Sequence, residues 1–590
     1  MDSKRLLLAL SISIAILVIF QVLADYFLPK PKPHPAMPQT VSSAVVGQGV
    51  IGSSPAPSAP SGAIVPPSAP APRVLIAAPL VRGSISLRGA KLDQLILTHY
   101  HETVSKTSPL VHLLAPPEQT RSNYVQFGWE AAPGQTVETP GTSTIWSSSG
   151  GELTPDHPIR LSWTDPQNVT FRIILAVDQN YMFTVDQEVI NHSGGPITVY
   201  PWSRVRQDYL PTIEGSFILH EGPIGVFNGT LNEMSYAATR SQAKNSPTGT
   251  ALSKTDTGGW VGITSKYWLT ALIPSQDARV TASYRYQEIP GRKADDGAYQ
   301  ADMITATPIE AAPGATAVFT SRVFAGAKVL HILNSYQKTD HIPNFDRAID
   351  FGWFYFLTKP IFLALDMLSR VFGNFGIAII VFTVLLKIVL FPLVHKSFTS
   401  MAKMRLVAPK IKEIRERVKD DPARQQKEIM AVYKAEGVNP AAGCLPMLVQ
   451  VPIFFALYKV IFITIEMRHA PFFLWIHDLS AEDPTNIFNL FGLLPFHPSA
   501  ISPFLHVGVL PILMGTAQYF SQRMSPAPPD PTQARMMQFM PVIYAVMLAR
   551  FPAGLVLYYT TNNFLTMIQQ WVILRSVEHR PHPKPVSTGT

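Results

Sequence analysis

The stretch FGIAIIVFTVLLKIVLFPLV, residues 375–394, is a run of uncharged and mostly apolar side chains broken by one charged residue, Lys387. About twenty apolar residues are the length that an α-helix needs to cross a bilayer. A charge near the bilayer centre costs about 3 kcal/mol on insertion scales. Lys387 lies about eight residues, or roughly 12 Å, from the nearer end of the segment, and a lysine stem spans only part of that distance. The stretch therefore predicts a membrane-spanning helix whose ammonium group needs a compensating environment.

The composition predicts a protein with a membrane part and a water-soluble part. Of the 590 residues, 47% are hydrophobic and only 15% are charged, which is too apolar for an ordinary soluble protein. A chain of this length is expected to form at least two domains. Cys444 is the single cysteine, so an intrachain disulfide is excluded, and its apolar surroundings are typical of a packing residue.

The N-terminal region predicts an anchor and a linker. Residues 1–28 place Lys4 and Arg5 before a long apolar run, which predicts a transmembrane signal anchor. A cleaved signal peptide is the alternative, although no A-x-A cleavage triplet closes the run. Residues 29–72 are rich in Pro, Ala and Ser and predict an extended linker.

Residues 73–340 show the alternation of apolar and polar side chains that is typical of β-strands, as in NVTFRIILAVD and YMFTVDQEVIN. Because no long helical period interrupts these stretches, they predict a large all-β domain, a sandwich. Residues 341–372 mix aromatic with charged side chains. They predict an amphipathic helix in the membrane interface, kinked near Pro360.

The remaining sequence predicts an α-helical bundle of five membrane-spanning helices, residues 373–577, followed by a short tail, residues 578–590. With the N-terminal anchor the chain has six predicted spans. The five spans of the bundle are expected near residues 375–395, 444–465, 505–522, 536–550 and 552–574.

The distribution of charge predicts the orientation of these spans. Residues 396–436 carry eleven Lys or Arg against six Asp or Glu, whereas residues 466–504 carry one basic residue against four acids. Because basic loops stay in the cytoplasm, we expect both termini there and the β domain across the membrane. The net charge of +8 then mainly reflects basic residues that keep loops in the cytoplasm. Nucleic-acid binding by the basic loop and tail is the alternative.

The basic loop itself predicts a helical hairpin over residues 398–436. Apolar residues three and four positions apart form one stripe on a charged helix, and Asp421-Pro422 is typical of the start of a second helix. The stripe either packs only within the hairpin or also receives a partner. The candidate contact residues are Met401, Met404, Arg405, Lys410, Arg415 and Arg417.

Polar side chains on several predicted spans favour a hydrophilic, cationic groove around Lys387. One alternative is a snorkelling lysine held by a single carbonyl or acid. A proton relay is disfavoured because the predicted spans contain no Asp and the nearest Glu, Glu466, lies at a rim. The candidate groove residues are Lys387, Thr383, Gln450, Gln518, Gln522, Tyr559, Asn562 and Asn563.

Four runs of sequence resemble a known family. They are MAKMR with APKI, YKAEGVNPAAGCLPMLVQVPIFFALY, APFFLWIHDLS and FMPVIYAVMLARFPAGLVLYYTTNN. These runs follow one another within residues 375–575 and closely resemble the YidC membrane-protein insertase family. The large β region behind an N-terminal anchor is similar to the Gram-negative form of the family, in which this domain is a periplasmic β-supersandwich.

The resemblance implies an inner-membrane insertase and chaperone. It implies that nascent membrane proteins are the substrates, that the Sec translocon is a partner for some of them, and that ribosomes bind the cytoplasmic loops and tail. It also implies a groove open to the cytoplasm and to lipid, where Lys387 attracts acidic segments and where Thr383 and Tyr559 hold functional positions.

Two features depart from the family pattern. Bacterial members usually carry arginine at the position of Lys387. Lysine keeps the positive charge, but it lacks the planar guanidinium group of arginine, which donates two parallel hydrogen bonds to a carboxylate. Residues 484–504 look like an insertion, for which we expect an interfacial or re-entrant element.

No motif predicts an enzyme. The sequence has no G-x-x-x-x-G-K-[ST] loop for nucleotides, no H-E-x-x-H and no G-x-S-x-G. We therefore expect no catalytic residue, no metal site and no cofactor, and we expect a monomer. Two rival functions stay open, a secondary transporter or channel for a small anionic solute and a carbohydrate-binding or enzymatic β domain that the membrane part merely anchors.

Overall fold

The computed structural model describes the β domain, the helical hairpin and most of the predicted membrane bundle. The predicted anchor, the linker as far as residue 70 and the tail beyond residue 578 lie outside the described residues, as do parts of three loops. The described residues are 71–212, 219–419, 421–437, 445–494, 506–524 and 531–578.

Two antiparallel sheets form the β domain, which confirms that this region is rich in strands. The strands of the first sheet are β1 (Arg73–Ala77), β2 (Val81–Ser86), β3 (Lys91–His101), β4 (Leu110–Leu114), β5 (Asn123–Ala131), β10 (Ile197–Gln207), β13 (Thr250–Thr257), β16 (Arg279–Gln287), β17 (Ala298–Thr305) and β18 (Ile309–Ala311). Their order is β1-β2-β3-β5-β10-β17-β16-β13, with β4 paired to β3 and β18 paired to β10.

The second sheet packs its inner face against the first. Its strands are β6 (Ser147–Ser149), β7 (Ile159–Thr164), β8 (Val169–Val177), β9 (Met182–Asn191), β11 (Gly222–Phe227), β12 (Thr230–Glu233), β14 (Trp260–Thr264), β15 (Trp268–Pro274) and β19 (Thr316–Ala327). Their order is β12-β11-β14-β15-β19-β9-β8-β7-β6. One continuous apolar core contains side chains from both sheets.

Strand β8 shows why these residues form strands. Successive side chains of a strand point to opposite faces, so an alternating sequence buries one face only. Full burial of each such side chain contributes about 1.5–3 kcal/mol. The buried residues of β8 alternate with partly buried ones, and they are Val169, Phe171, Ile173, Leu175 and Val177.

A short helix, α1 (Tyr236–Ala243), corrects the prediction that the domain is all-β. Ser235 caps this helix, because its hydroxyl accepts a hydrogen bond from the Ala238 amide at 3.2 Å. Tyr236 is buried, and its ring centre lies 4.8 Å from that of Tyr299. A helix of eight residues is too short to produce a recognisable helical period in the sequence.

The segment that leads from the β domain into the membrane helices corrects the prediction of one helix over residues 341–372. Asn344 and Gly352 have left-handed backbone conformations, with φ of 51° and 70°, and these interrupt a helix. The helix therefore begins only after Gly352. The elements in this segment are α2 (Leu330–Thr339), a 3₁₀ turn (Phe345–Ala348) and α3 (Tyr355–Phe372), which contains Pro360.

The stretch around Lys387 forms one long helix, α4 (Phe375–Arg417). The Asn374 side chain caps its first turn by accepting a hydrogen bond from the Gly376 amide at 2.8 Å. The predicted separation between a span ending at residue 395 and a hairpin beginning at residue 398 is wrong, because α4 runs through both. The sequence MAKMR that follows the apolar stretch has high helix propensity, which explains the continuation.

The second helix of the hairpin, α5 (Pro422–Ala435), packs against the distal half of α4. The Asp421 side chain caps α5 by accepting a hydrogen bond from the Arg424 amide at 3.0 Å. The centre of the stripe on α4 packs against Ile429 of α5, and its buried members are Val407, Ile411 and Ile414.

Four further helices follow among the residues that the structure describes, and they are α6 (Leu445–Ile463), α7 (Val509–Met524), α8 (Pro531–Leu548) and α9 (Ala553–Glu578). Helix α9 packs against both α4 and α7, and α8 packs against α7. Helix α3 packs against α4 and α6. The described helices therefore form one bundle, in which α9 lies between α4 and α7.

Within the described residues, one stretch is long and apolar enough to cross a membrane, namely Phe375–Met404 of α4. Shorter apolar stretches occur in α6 and α8, Leu448–Ile463 and Arg535–Leu548. Large apolar side chains on these helices stay exposed, as is expected of residues that face lipid. The number of spans in the bundle stays a prediction.

Charged contacts fix the β domain to the helices. Lys459 of α6 pairs with Asp350 at 2.8 Å, and both side chains are largely buried. Arg468, just beyond α6, donates a hydrogen bond to the His101 carbonyl of β3 at 2.7 Å. The end of α6 therefore lies on the same side of the bundle as the β domain.

Candidate functional site

Lys387 lies half-buried near the middle of the apolar part of α4. Its Nζ donates a hydrogen bond to Oγ1 of Thr566 in α9 at 2.7 Å, and the Thr566 hydroxyl donates to the Asn562 carbonyl at 2.6 Å. Among the residues that the structure describes, no carboxylate lies within 4.0 Å of this ammonium group. A neutral hydroxyl therefore accepts one hydrogen bond from the ammonium group, and the positive charge is not cancelled.

Helix α9 supplies a polar stripe opposite Lys387. Each residue of this stripe lies three or four positions from at least one other, which places them on one side of a helix, and they are Tyr559, Asn562, Asn563, Thr566 and Gln570. Asn562 and Asn563 are buried. Our reading of the sequence missed Thr566, although its position four residues after Asn562 was a sufficient signal.

Thr383 shares the face of α4 that carries Lys387, and it is fully buried. Its hydroxyl donates to the Ile379 carbonyl at 2.6 Å, which is a bond within its own helix. The Thr383 proton is therefore already used, and the side chain contributes a small polar contact at the interior of the bundle.

Gln450 joins α6 to α9. Its amide nitrogen donates a hydrogen bond to the Tyr558 hydroxyl at 2.5 Å. The partner of Gln450 is therefore Tyr558, and not the neighbouring Tyr559 that the sequence predicts for the groove. The Tyr559 ring lies 5.3 Å from the ring of Phe454 in α6. Both tyrosines thus hold α6 against α9, one through a hydrogen bond and one through ring packing.

The two glutamines of α7 occupy a different contact. The amide nitrogen of Gln522 donates to the Met537 carbonyl of α8 at 2.5 Å, while Gln518 is half-buried one turn earlier. A second polar contact of α7 is the bond from the Ser521 hydroxyl to Gln570 Oε1 at 3.3 Å. The structure therefore brings Lys387 together with α9, and it places Gln522 at the junction of α7 with α8.

Two charged candidates of the hairpin, Lys410 and Arg417, make ion pairs within it. Lys410 pairs with Glu436 at 2.7 Å, and Arg417 pairs with Glu428 at 2.6 Å. Hydrogen bonds from Arg417 and Arg424 lower the pKa of Glu428.

The remaining hairpin candidates differ in exposure. Met404 packs at the edge of the buried cluster, Met401 is half-buried, and Arg415 is half-buried and bonded. The side chain of Arg405 lies outside the described residues.

Buried titratable groups lie where the β domain meets the helices. Glu466 Oε1 accepts a hydrogen bond from the Leu330 amide at 3.2 Å, and burial raises the pKa of Glu466 from 4.5 to about 7. Lys328 donates to the Thr264 hydroxyl at 3.1 Å, and burial lowers its pKa to about 8 against the opposing effect of Asp350. This junction is therefore sensitive to pH.

Within the described part of the chain, no three His, Cys, Asp or Glu side chains are arranged to hold a metal ion.

The fold and the polar contacts of Lys387 define a helical membrane protein with a large two-sheet domain outside the bilayer. Residues 73–364 match a family model described as YidC periplasmic domain, and residues 367–580 match one described as 60Kd inner membrane protein. The chain belongs to the YidC membrane protein insertase family.

Relatives over nearly the full length support the same assignment. The chain is 61% identical to a membrane protein insertase YidC of Acidiphilium cryptum, with 98% of each chain covered. It is 53% identical to the protein of the same name from Granulibacter bethesdensis, with 99% of each covered. A solved YidC insertase with its first transmembrane domain resolved matches with a TM-score of 0.34 at 17% identity, over 89% of this chain and 96% of that one, and the assignment does not rest on this likeness.

Proposed function

We propose that this protein inserts other proteins into the inner membrane and helps them to fold there. The observation that carries the proposal is the ammonium group of Lys387, which lies in an apolar helix and bonds to the Thr566 hydroxyl. A neutral hydroxyl leaves the positive charge uncancelled, so the group is able to attract an acidic segment. The relatives named as membrane protein insertases support this reading.

The attraction lowers the cost of bringing a hydrophilic segment into the membrane. A carboxylate of the substrate that approaches Lys387 gains Coulomb energy, which is larger where water is scarce. The polar stripe on α9 offers hydrogen-bond partners along the same path, and we place a hydrophilic groove there that opens to the cytoplasm and to lipid. Gln450, Gln518 and Gln522 would border that groove.

The free energy for transfer comes from the apolar part of the substrate. As its helix moves from the groove into lipid, burial releases roughly 25 cal/mol for each Å² of apolar surface. Nucleotide hydrolysis is not required by this scheme, and the protein acts without catalytic residues or a cofactor.

The proposal includes the arrangement of the chain in the membrane. The bundle has five spans and is preceded by an N-terminal anchor, both termini lie in the cytoplasm, and the β domain is periplasmic. The hairpin and the tail would contact the ribosome, the Sec translocon would join for some substrates, and the insertase would act as a monomer. The exposed basic residues of the hairpin and the charge asymmetry of the loops support this orientation.

Substitution of Lys387 tests the proposal in proteoliposomes. Lys387→Glu is expected to reduce insertion of a substrate with an acidic translocated tail severalfold, because attraction becomes repulsion, while Lys387→Arg keeps the charge and the activity. Protection of the tail from added protease measures insertion. A substrate whose tail acids are changed to amides is the control and should lose its dependence on residue 387. Equal activity of the glutamate variant on the acidic substrate contradicts the attraction mechanism.

A further inference from the structure

The described parts of the connection between α6 and α7, residues 464–494 and 506–508, which we call the loop, expose large apolar side chains at two tips. The first tip is Phe473 and Leu474, and Leu474 is 81% exposed. The second tip comprises residues 488–494, of which Leu493 is 82% exposed. Its other exposed apolar side chains are Phe488, Leu490, Phe491 and Leu494.

The backbone of both tips presents these side chains in an uncommon way. Leu474, Leu490 and Phe491 have φ of 60°, 51° and 60°, which is the left-handed region that bulky residues rarely enter. A backbone conformation of this kind persists only where other contacts compensate its cost. Backbone hydrogen bonds within the tips supply this compensation, since the Phe491 amide donates to the Asn486 carbonyl at 2.9 Å and the Phe472 amide donates to the Ile476 carbonyl at 2.9 Å. The turns therefore hold these apolar side chains in their exposed orientation.

Each tip is fixed to the end of a membrane helix. At the first tip, Phe472 packs so closely on Gly376 at the start of α4 that a Cβ there would lie 2.0 Å from its ring. At the second, Asp483 Oδ2 accepts a hydrogen bond from the Leu510 amide at 2.8 Å, and the Thr485 hydroxyl accepts one from the Val509 amide at 2.9 Å. The second tip is therefore held at the first turn of α7.

The position of the loop gives its depth in the membrane. Arg468 of the same loop bonds to the β domain, so both tips lie at the end of the bundle that faces that domain. Leu513, one turn into α7, is also exposed. The helix to which the second tip is fixed therefore also carries an exposed apolar side chain near its start.

The composition of the tips fits lipid. Residues 471–476, PFFLWI, and 484–494, PTNIFNLFGLL, contain no Asp, Glu, Lys or Arg. Charged groups are costly below the headgroups, whereas Phe, Trp and Leu are the residues that insert at the boundary of headgroups and acyl chains.

We propose that the two tips of this loop insert into the leaflet on the β-domain side of the bilayer and hold the adjoining ends of α4 and α7 at a constant depth. The ligand is the headgroup–acyl boundary of a phospholipid bilayer. The proposal goes beyond the insertase function and does not depend on it.

A spin label at the second tip tests this inference in the full-length protein. Cys444 is replaced by serine, Leu493→Cys carries the label, and the protein is reconstituted in phosphatidylethanolamine–phosphatidylglycerol vesicles. Leu493 is almost fully exposed, so its replacement removes few protein contacts. The measurement compares collisions of the label with oxygen, which enters lipid, and with a nickel chelate, which stays in water. We expect the ratio of oxygen to chelate collisions to be severalfold higher for the label at residue 493 than for a label at Ser105.

Two further labels calibrate the measurement. Ser105 is exposed in the β domain and reports contact with water, and Leu385 is exposed on α4 and reports contact with lipid. A ratio at residue 493 equal to that at Ser105 overturns the proposal, and so does a label that neither reagent reaches, since protein then covers the tip. No insertion activity enters this readout, so its failure is distinct from failure of the proposed function.

Discussion

At the scale of single residues, Lys387 shows how a charge is kept available inside an apolar helix. A fixed carboxylate next to it would form a buried ion pair, and breaking such a pair is costly. The Thr566 hydroxyl at 2.7 Å satisfies one donor of the ammonium group without cancelling its charge. Under the proposed function, this neutral partner leaves the ammonium group able to attract an acidic segment, whereas a fixed carboxylate would form a structural ion pair.

Substitution of Thr566 tests this contact. Thr566→Val removes the acceptor and is expected to lower the free energy of unfolding by about 1.5 kcal/mol, the lower end of the range for a hydrogen bond to a charged group, since Lys387 is only half-buried. Thermal unfolding of the protein in nanodiscs measures the change. Thr566→Ser keeps the hydroxyl and should behave like the unaltered protein. An equal loss of stability in both variants would show that the methyl group, and not the hydrogen bond, matters at this position.

Glu466 predicts a dependence of stability on pH. Its pKa is about 7 in the folded protein and 4.5 as its ordinary value, so the folded state binds the extra proton between these values. Its stabilising contribution is therefore complete below about pH 4.5 and is lost as the pH rises through about 7. With about 1.4 kcal/mol for each pKa unit, the full change is on the order of 3 kcal/mol.

Glu466→Gln removes the titration but keeps an oxygen that is able to accept from the Leu330 amide. The variant should gain stability relative to the unaltered protein at pH 8 and show little difference at pH 5. Unfolding midpoints at the two pH values measure the effect. A difference between the proteins that does not change with pH would contradict the assignment of this titration to Glu466.

At the scale of elements, α4 joins the predicted membrane part to the helical hairpin without a break. Its apolar half carries Lys387, and its charged half packs against α5 through Val407, Ile411 and Ile414. The helix is not a stiff rod, however, because Pro392 and Pro409 lie inside α4 and each removes a backbone hydrogen bond of the helix. The hairpin itself is stabilised by a small buried cluster and by exposed ion pairs, and the latter contribute little.

The buried cluster predicts how the hairpin is destabilised. Ile411→Ala removes a buried side chain and is expected to cost about 2 kcal/mol, the low end of the range for a cluster of this size. Hydrogen exchange of the α5 amides should become faster. Leu406→Ala on the exposed side of the same helix is the matched control, because Leu406 is 57% exposed. Faster exchange in the control alone would place the stabilising contacts on the other side of α4.

At the scale of the whole molecule, the β domain is not a separate body attached by a flexible linker to the helices. The core that fills the two sheets continues through α2 and α3 into α4, α6 and α9. Ionic contacts add to this apolar core. One of them is the pair of Lys459 with Asp350, which joins α6 to the segment that precedes α3. The β domain and the bundle therefore share one packed apolar core.

Removal of one partner tests the ionic contact. Lys459→Met leaves the carboxylate of Asp350 largely buried without its cation, and we expect a loss of about 3 kcal/mol, at the low end for buried pairs because both groups keep some exposure. The change appears as a lower midpoint of thermal unfolding. Arg370→Met breaks the exposed pair with Asp366 and should cost less than about 0.5 kcal/mol. Similar losses in the two variants would mean that the buried pair does not stabilise the junction.

Much of the architecture follows from the sequence because it is encoded locally. Alternating apolar residues in strands such as β8 and the unbroken apolar stretch of α4 each define their own element, since period and length depend on consecutive residues. The motifs within residues 375–575 indicated the family in the same way. Local patterns did not predict where one residue ends the helical conformation, as at Gly352. They also did not predict a short helix such as α1.

The sequence by itself determined that Lys387 lies in an apolar stretch long enough to cross a membrane, that polar residues occur in other predicted helices, and that a strand-rich domain precedes them. Only the tertiary structure decided which groups meet. Lys387 bonds to Thr566 although 179 positions separate them, and Gln450 bonds to Tyr558 although 108 positions separate them. The reason is physical. The spacing of apolar residues along the chain is a local property that predicts a helix or a strand, whereas the partner of a side chain depends on how the helices pack together.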